Sequence, residues 1–380
     1  MKKNKKLLVG FGVVILIGVV LTGIFKKHQQ DQDGSGNDIR IGVLAFLTGT
    51  FADTAQSMVK GITLAKEEFN QQLKAGDKEI IVVVEDGKTE ARASVSAVQK
   101  LLNSKVDMMI LSGDNQVPAI APIISKYHIP SIVTITANSN WLPKDDSISW
   151  MFRYFTSSFG IAHAMADFAV NKLRLESCAV LYLNGEYGLD GLNGFSSHFK
   201  NLGGKILSAE PFQEESVDAR PAISKIISNK PQAIYVVGYG NGYYAAINQL
   251  RELRYGGTIL TCEHISSPES KEKIKNLAGI YFVTQRIEGS ERYLRFANKY
   301  SSRFGKKPDI YAAYGYDSMN IILQAYQKVG NNPYDIQKCL SKVVDFPAVL
   351  GDVSLTPKGE CLIALDYAVM KQDGNYEIVK

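Results

Sequence analysis

Two side chains of complementary chemistry stand just past the ends of two apolar strands. Tyr239 follows the run Ala233 to Gly238, and Glu263 follows Thr258 to Cys262. In open α/β sheets, ligands lie beyond the carboxyl ends of the strands. A phenol and a carboxylate placed there make a cup for an ammonium group, which needs an opposite charge and hydrogen bonds once it leaves water. The patterns of nucleotide and hydrolase chemistry fail. Gly238-Tyr-Gly-Asn-Gly242 imitates a dinucleotide fingerprint, but its third glycine falls on Tyr243. The Gly-x-x-x-x-Gly-Lys-Ser/Thr phosphate loop and the Gly-x-Ser-x-Gly elbow are both missing. The five histidines (His28, His128, His163, His198, His264) are scattered, and no second histidine follows Glu263-His264 at ligand spacing. Neither a metal nor a cofactor is expected, and no enzyme activity.

The elements that position Tyr239 and Glu263 alternate along most of the chain. Apolar strand runs are expected at Ile39–Phe46, Glu79–Glu85, Asp107–Leu111 and Ser131–Thr136, with amphipathic helices between them at Thr54–Leu73, Ala91–Asn103 and Pro118–Tyr127. A second series repeats the pattern. Its strands are Ser177–Leu183, Lys205–Pro211, Ala233–Gly238 and Thr258–Cys262, and its helices are Gly188–Leu202, Ala219–Ser228, Asn241–Leu253 and Pro268–Leu277. Helices at Ser290–Phe304, Ile310–Lys328 and Pro333–Val343 follow. Cys361–Met370 and Asn375–Val379 flank Gln372-Asp-Gly and read as an antiparallel hairpin. Short apolar strands separated by helices argue for parallel sheets covered on both faces, here as two doubly wound lobes. Tyr311, Tyr314 and Tyr316 read as packing between helices, and Trp141 as a core, rim or cleft-mouth residue.

Composition sets the surroundings. Hydrophobic residues make up 45% and charged residues 21%, which excludes a disordered chain. The net charge is +5, but six of the 43 basic and two of the 38 acidic residues lie before Asp38, which leaves +1 for the remainder. No clustered basic surface of the kind that binds nucleic acid is seen. Leu7 to Phe25 is apolar and uncharged, with four lysines before it and two after. At about 1.5 Å per residue it nearly spans a bilayer core of about 30 Å. The flanking charges favour a cytoplasmic N-terminus and an exported body, and a cleaved signal is the other reading. Residues 29–37 form a polar spacer. Among Cys178, Cys262, Cys339 and Cys361 there is no Cys-x-x-Cys; four small buried thiols are expected, with a Cys339–Cys361 pair left open.

Three segments carry a family resemblance: Ile39-Arg-Ile-Gly-Val-Leu-Ala-Phe-Leu-Thr-Gly-Thr50, Asn184-Gly-Glu-Tyr-Gly188 and Pro308-Asp-Ile-Tyr-Ala-Ala-Tyr-Gly-Tyr-Asp-Ser-Met319. From about Asp38 onward the chain resembles the type I periplasmic solute-binding proteins, in the leucine/isoleucine/valine-binding branch that serves ABC importers. The resemblance implies two Rossmann-like lobes joined by three crossings near Tyr154, Thr284 and Phe346. Lobe one would hold residues 38–154 plus 285–345, and lobe two 155–284 plus 346–380. Hinge closure would bury a ligand between them. By resemblance, Thr136 offers a carbonyl and Asn138 a backbone N–H to the ligand, Glu263 and Tyr239 meet its ammonium, and Tyr187 is a lid aromatic. Two positions depart from the pattern. The carboxylate-gripping serine falls on Gly113, followed by Asp114, and the aromatic of the first loop falls on Thr54 beside Asp53. Asp114 would repel a ligand carboxylate, which points to a smaller, more polar or cationic ligand. The implied function is an extracytoplasmic receptor for a small polar solute, foremost an amino acid. Its partners would be an ABC permease and, through the N-terminal helix, the membrane. The alternative is a tethered ligand sensor acting through a signalling partner.

Overall fold

The computed structural model describes residues 38–379 except 50, 51, 115, 140 and 286–289. The expected membrane segment Leu7–Phe25 lies outside the described residues. Among the described residues no helix is long and apolar enough to cross a membrane.

The first sheet is built from β1 (Ile39–Ala45), β2 (Ile80–Asp86), β3 (Met108–Ser112), β4 (Ser131–Thr134) and β5 (Met151–Arg153). All pairs are parallel, in the order β2-β1-β3-β4-β5. Helices α1 (Ala52–Asn70), α2 (Ala91–Asn103) and α3 (Gln116–Tyr127) connect its first strands. Every residue of β3 and β4 is buried, which is why those runs are apolar without alternation. β4 stops two residues before the expected Thr136 because Ile135 turns to φ +50°, a left-handed value that a β-branched residue adopts only under constraint.

The second sheet repeats the winding. Strands β6 (Ser177–Leu183), β7 (Lys205–Phe212), β8 (Ala233–Val237), β9 (Thr258–Thr261) and β10 (Ile280–Thr284) run parallel in the order β7-β6-β8-β9-β10. They alternate with helices α4 (Ser158–Asn171), α5 (Glu186–Asn201), α6 (Arg220–Ser228), α7 (Gly240–Glu252) and the short α8 (Pro268–Lys273). Helices α9 (Glu291–Phe304), α10 (Ile310–Val329) and α11 (Pro333–Leu340) then return to the first sheet, where Phe296, Tyr300, Ile322 and Ile336 join its core. β11 (Phe346–Ala348), β12 (Gly351–Leu355) and β13 (Cys361–Ile363) form a small antiparallel sheet. β14 (Asp366–Met370) and β15 (Tyr376–Ile378) extend the second sheet beyond β10.

The chain therefore passes between the sheets after β5, after β10 and between β13 and β14. The last passage was expected near Phe346 and lies instead at 363–366. Phe346, Ala348, Val353 and Leu355 are buried in the core of the first sheet, so this stretch stays with that lobe. For the same reason the run read as one strand, Cys361–Met370, is two strands in two sheets. The passages are tied side by side. Gln285 donates to Thr156 Oγ1 at 2.8 Å and accepts from Tyr314 Oη at 2.8 Å, and Cys361 Sγ lies 3.2 Å from the Phe155 carbonyl. All four cysteines are free thiols; Cys178 and Cys262 are buried, while Cys339 and Cys361 are partly exposed.

Candidate functional site

In a sheet wound 2-1-3, the crevice opens where neighbouring strands send their connections to opposite faces. In the second sheet that point lies between β6 and β8, and Tyr187 and Tyr239 leave from those two strand ends. Glu263 starts the single 3-10 turn after β9. Tyr187 Oη donates to Glu263 Oε1 at 3.0 Å. The Tyr187 and Tyr239 rings meet edge to face at 5.4 Å, and the His264 ring lies 6.0 and 5.7 Å from them. Glu263 Oε2 is buried and has no hydrogen-bond partner among the described residues. A buried, unmatched carboxylate oxygen on the acid that Tyr187 holds, with the Tyr239 and His264 rings packed on that tyrosine, is suited to an ammonium, which can pair with the charge and lie against ring faces. Burial pushes the Tyr187 phenol well up and the Tyr239 phenol up to about 12, with Glu214 and Asp114 adding to the latter. Both phenols therefore stay protonated donors.

Local packing explains why tyrosine stands before glycine here. A Cβ on Gly188 would fall 2.0 Å from the Leu183 carbonyl oxygen, so α5 can start against the end of β6 only with glycine there. The glycines around Tyr239 do similar work. Gly240 has φ +77°, and a Cβ on Gly242 would fall 2.0 Å from the Gln213 carbonyl oxygen. Tyr243, at the failed third glycine, is fully buried and shares a 2.8 Å hydrogen bond with Thr261 Oγ1.

The first-lobe loop is arranged differently from the expectation. The Asn138 N–H was assigned to a ligand carboxylate, but it donates to Asp114 Oδ1 at 3.1 Å, and the Ala137 N–H donates to the same oxygen at 2.6 Å. Asp114 thus occupies the amides with its own carboxylate. Burial holds that carboxyl above its usual range, against the pull of these amides and of Arg153. The Thr136 carbonyl already accepts one hydrogen bond. Arg153, fully buried, donates through Nη1 to the carbonyls of Thr136, Ala137 and Asn138 at 3.1, 2.8 and 2.8 Å. Its Nε and Nη2 hold Glu360 in a bidentate pair at 2.7 and 2.6 Å. Gly113 has φ +108°, and a Cβ there would sit 2.2 Å from Gln116 Oε1, so a serine cannot take this place without strain. Trp141 is a support beneath the loop: it is buried, its indole donates to the Asn138 carbonyl at 3.0 Å, and the Arg153 guanidinium lies over its ring. Thr54 is half-buried in the first turn of α1, beside exposed Asp53.

The two halves meet at these strand ends. Asp190, on the first turns of α5, lies close enough to the Ser139 backbone for that amide to act on its carboxyl. Burial raises the carboxyl, Arg153 and the Ser139 amide pull it down, and Glu186 and Asp114 add to the rise. Tyr311, at the start of α10, feels Glu263 from the opposite lobe, and burial pushes its phenol up. Sequence reasoning brought together Tyr187, Tyr239 and Glu263. It missed His264, Asp190, Tyr311, Arg153 and Glu360. A lone arginine inside the apolar run Met151 to Phe155 was the available signal, since a buried guanidinium must be paired. A hollow of about 400 Å³ between α1, α9 and α10 is no rival site. Its Lys299 and Arg292 are already paired with Glu68 and Asp352 at 2.9 and 2.6 Å.

The family model described as "Periplasmic binding protein" matches residues 38–374. The chain belongs to this family. As a periplasmic binding protein it holds a solute outside the cytoplasm and is not an enzyme. It is 21% identical over 342 residues to an "Amino acid binding protein" of Pseudomonas aeruginosa, covering 88% of this chain and 90% of that one. Its fold matches the branched-chain amino acid transporter substrate binding protein of Streptococcus pneumoniae in complex with isoleucine. The TM-score is 0.74 at 23% identity, over 90% of this chain and 99% of the other. It also matches a solute binding protein of an ABC transporter from R. palustris in complex with benzoate, with TM-score 0.73 at 18% identity over 90% and 95% of the chains.

Proposed function

We propose that this binding protein is the receptor of an ABC importer for a small polar solute bearing a protonated amine. That class comprises the amino acids and their close amine and amide derivatives. The observation that carries the reading is the buried Oε2 of Glu263, without a hydrogen-bond partner among the described residues, on the acid bonded to Tyr187, whose ring packs against Tyr239 and His264. The names of the P. aeruginosa relative and of the isoleucine complex support an amino-group ligand. The benzoate complex shows that the fold alone does not choose the ligand. The first lobe we assign is 38–154 with 285–363, and the second is 155–284 with 364–379. The ligand docks on the second lobe and shifts the population toward the closed arrangement. The apolar run Leu7–Phe25, with lysines on both sides, would tether the body to the outer side of the cytoplasmic membrane. No observation favours the sensing alternative.

Calorimetry on the full chain tests this with the twenty amino acids, their amides and their amines, and benzoate as the contrast. At least one ammonium compound should bind saturably. Glu263→Gln should weaken it by about 2–5 kcal/mol, because the substitution leaves a desolvated ammonium unpaired. Binding of benzoate alone, or an unchanged affinity in Glu263→Gln, would remove the proposal.

A further inference from the structure

The loop that ought to receive a ligand's carboxylate already contains one. Asp114 Oδ1 holds the Ala137 and Asn138 amides at 2.6 and 3.1 Å. A ligand carboxylate would have to displace this group or lie beside it, where like charges repel. Further carboxylates act on the same groups: Asp114 feels Glu186, Asp190 feels both of them, and Tyr239 feels Glu214 and Asp114. Arg153 is the basic group that acts on Asp114 and Asp190, and its guanidinium is committed to Glu360 and three carbonyls. On the second lobe, Glu263 Oε2 remains buried without a partner among the described residues. Asp114 acts on Tyr239, and Glu263 is bonded to Tyr187, whose ring meets that of Tyr239.

We infer that the ligand is a small organic cation with no free carboxylate and positive charge at both ends, a diamine or guanidino-amine. One cationic head lies against Glu263 among Tyr187, Tyr239 and His264, and the other end meets Asp114 and Asp190. The inference rests on the reading that the cleft holds an ammonium, and it names the rest of the molecule. Cation–π contact with the three rings suits such a ligand, and a charge-assisted bond at each end would fix its length.

Matched pairs test this on the full chain by calorimetry: putrescine with ornithine, cadaverine with lysine, agmatine with arginine, and butylamine as the singly charged probe. At least one of the dications should bind about tenfold or more tightly than both its parent amino acid and butylamine, the gain expected of one charge-assisted hydrogen bond. Asp114→Asn keeps an acceptor for the two loop amides. It should weaken the dication about tenfold and leave butylamine unchanged. Asp190→Asn provides the same comparison away from that loop. An amino acid binding as tightly as its decarboxylated partner would overturn the inference while leaving the ammonium reading intact. So would a dication affinity that neither asparagine variant changes. If no ammonium compound binds at all, both fall.

Discussion

Tyr187 is the residue on which the acid of the second lobe depends. Its hydroxyl supplies the 3.0 Å hydrogen bond to Glu263 Oε1, in a place with little water to replace it. Tyr187→Phe should cost about 1–3 kcal/mol of stability, since a buried acceptor loses its donor while the ring keeps its packing. Urea denaturation of the ligand-free protein would show this as a lower midpoint at unchanged slope, and an unmoved midpoint would mean that Glu263 finds another donor. The sequence made Tyr239 and Glu263 legible because strand ends can be read from apolar runs, and the strand end is where a parallel sheet exposes its ligand side. It could not show that Asp114 folds back onto the Ala137 and Asn138 amides. That depends on the left-handed turn at Ile135 and the φ of Gly113, which no pattern of residue types specifies. The partner of Arg153 was hidden in a similar way, because Glu360 is 207 residues away and meets it only where two passages between the sheets run side by side.

Apolar strand runs between turn signals and helices with a polar face were legible, and elements lacking both signals were not. The first four strands of the first sheet and the amphipathic helices between them were read to within a few residues. Helix α4 was not read, because Ile161, Ala162, Met165, Ala166, Phe168 and Ala169 are all buried and leave only a narrow polar stripe. β5 and β11 are only three residues long and β12 opens on Gly351-Asp352, so no apolar run marks them, while β13 was read but joined to β14. The Pro308 to Met319 motif, in contrast, has a packing reason in α10. A Cβ on Gly315 would lie 2.1 Å from the Met58 carbonyl oxygen, and one on Gly61 would lie 1.9 Å from that of Ala312. Helices α1 and α10 therefore cross backbone to backbone. Gly315→Ala should push them apart and cost about 1–3 kcal/mol, the usual penalty of overpacking. Gly256→Ala, with no atom within 4 Å of the added carbon, serves as the control. Thermal unfolding of the two variants should separate them by several degrees, and equal midpoints would show that the crossing yields without cost.

The whole molecule is built as two lobes, and one buried carboxyl sits beside the first connection between them. Asp317, on α10, accepts from Tyr154 Oη at 2.7 Å and from the Val349 N–H at 2.9 and 3.0 Å. It thus ties the first passage between the sheets to the segment that follows β11. Burial pushes its carboxyl from the ordinary 3.8 up to about 7, even though these donors and Arg292 pull the other way. Desolvation therefore outweighs the hydrogen bonds, and the folded protein holds this proton when the unfolded chain has released it. Between those two values the folded state binds more protons than the unfolded state, so stability from this group falls as pH rises. The contribution is complete below about pH 4 and gone above about pH 7, and each tenfold difference in proton affinity between the two states is worth about 1.4 kcal/mol. Asp317→Asn removes the titration while keeping an oxygen to accept from Tyr154 and Val349. Chemical denaturation of both proteins from pH 5 to 8 should show the native chain losing stability relative to the variant as pH rises, with the difference levelling off above neutrality. Parallel pH profiles would mean that Asp317 is ionised throughout. The tie between Tyr154 and Val349 would then be held by a full charge across that whole range.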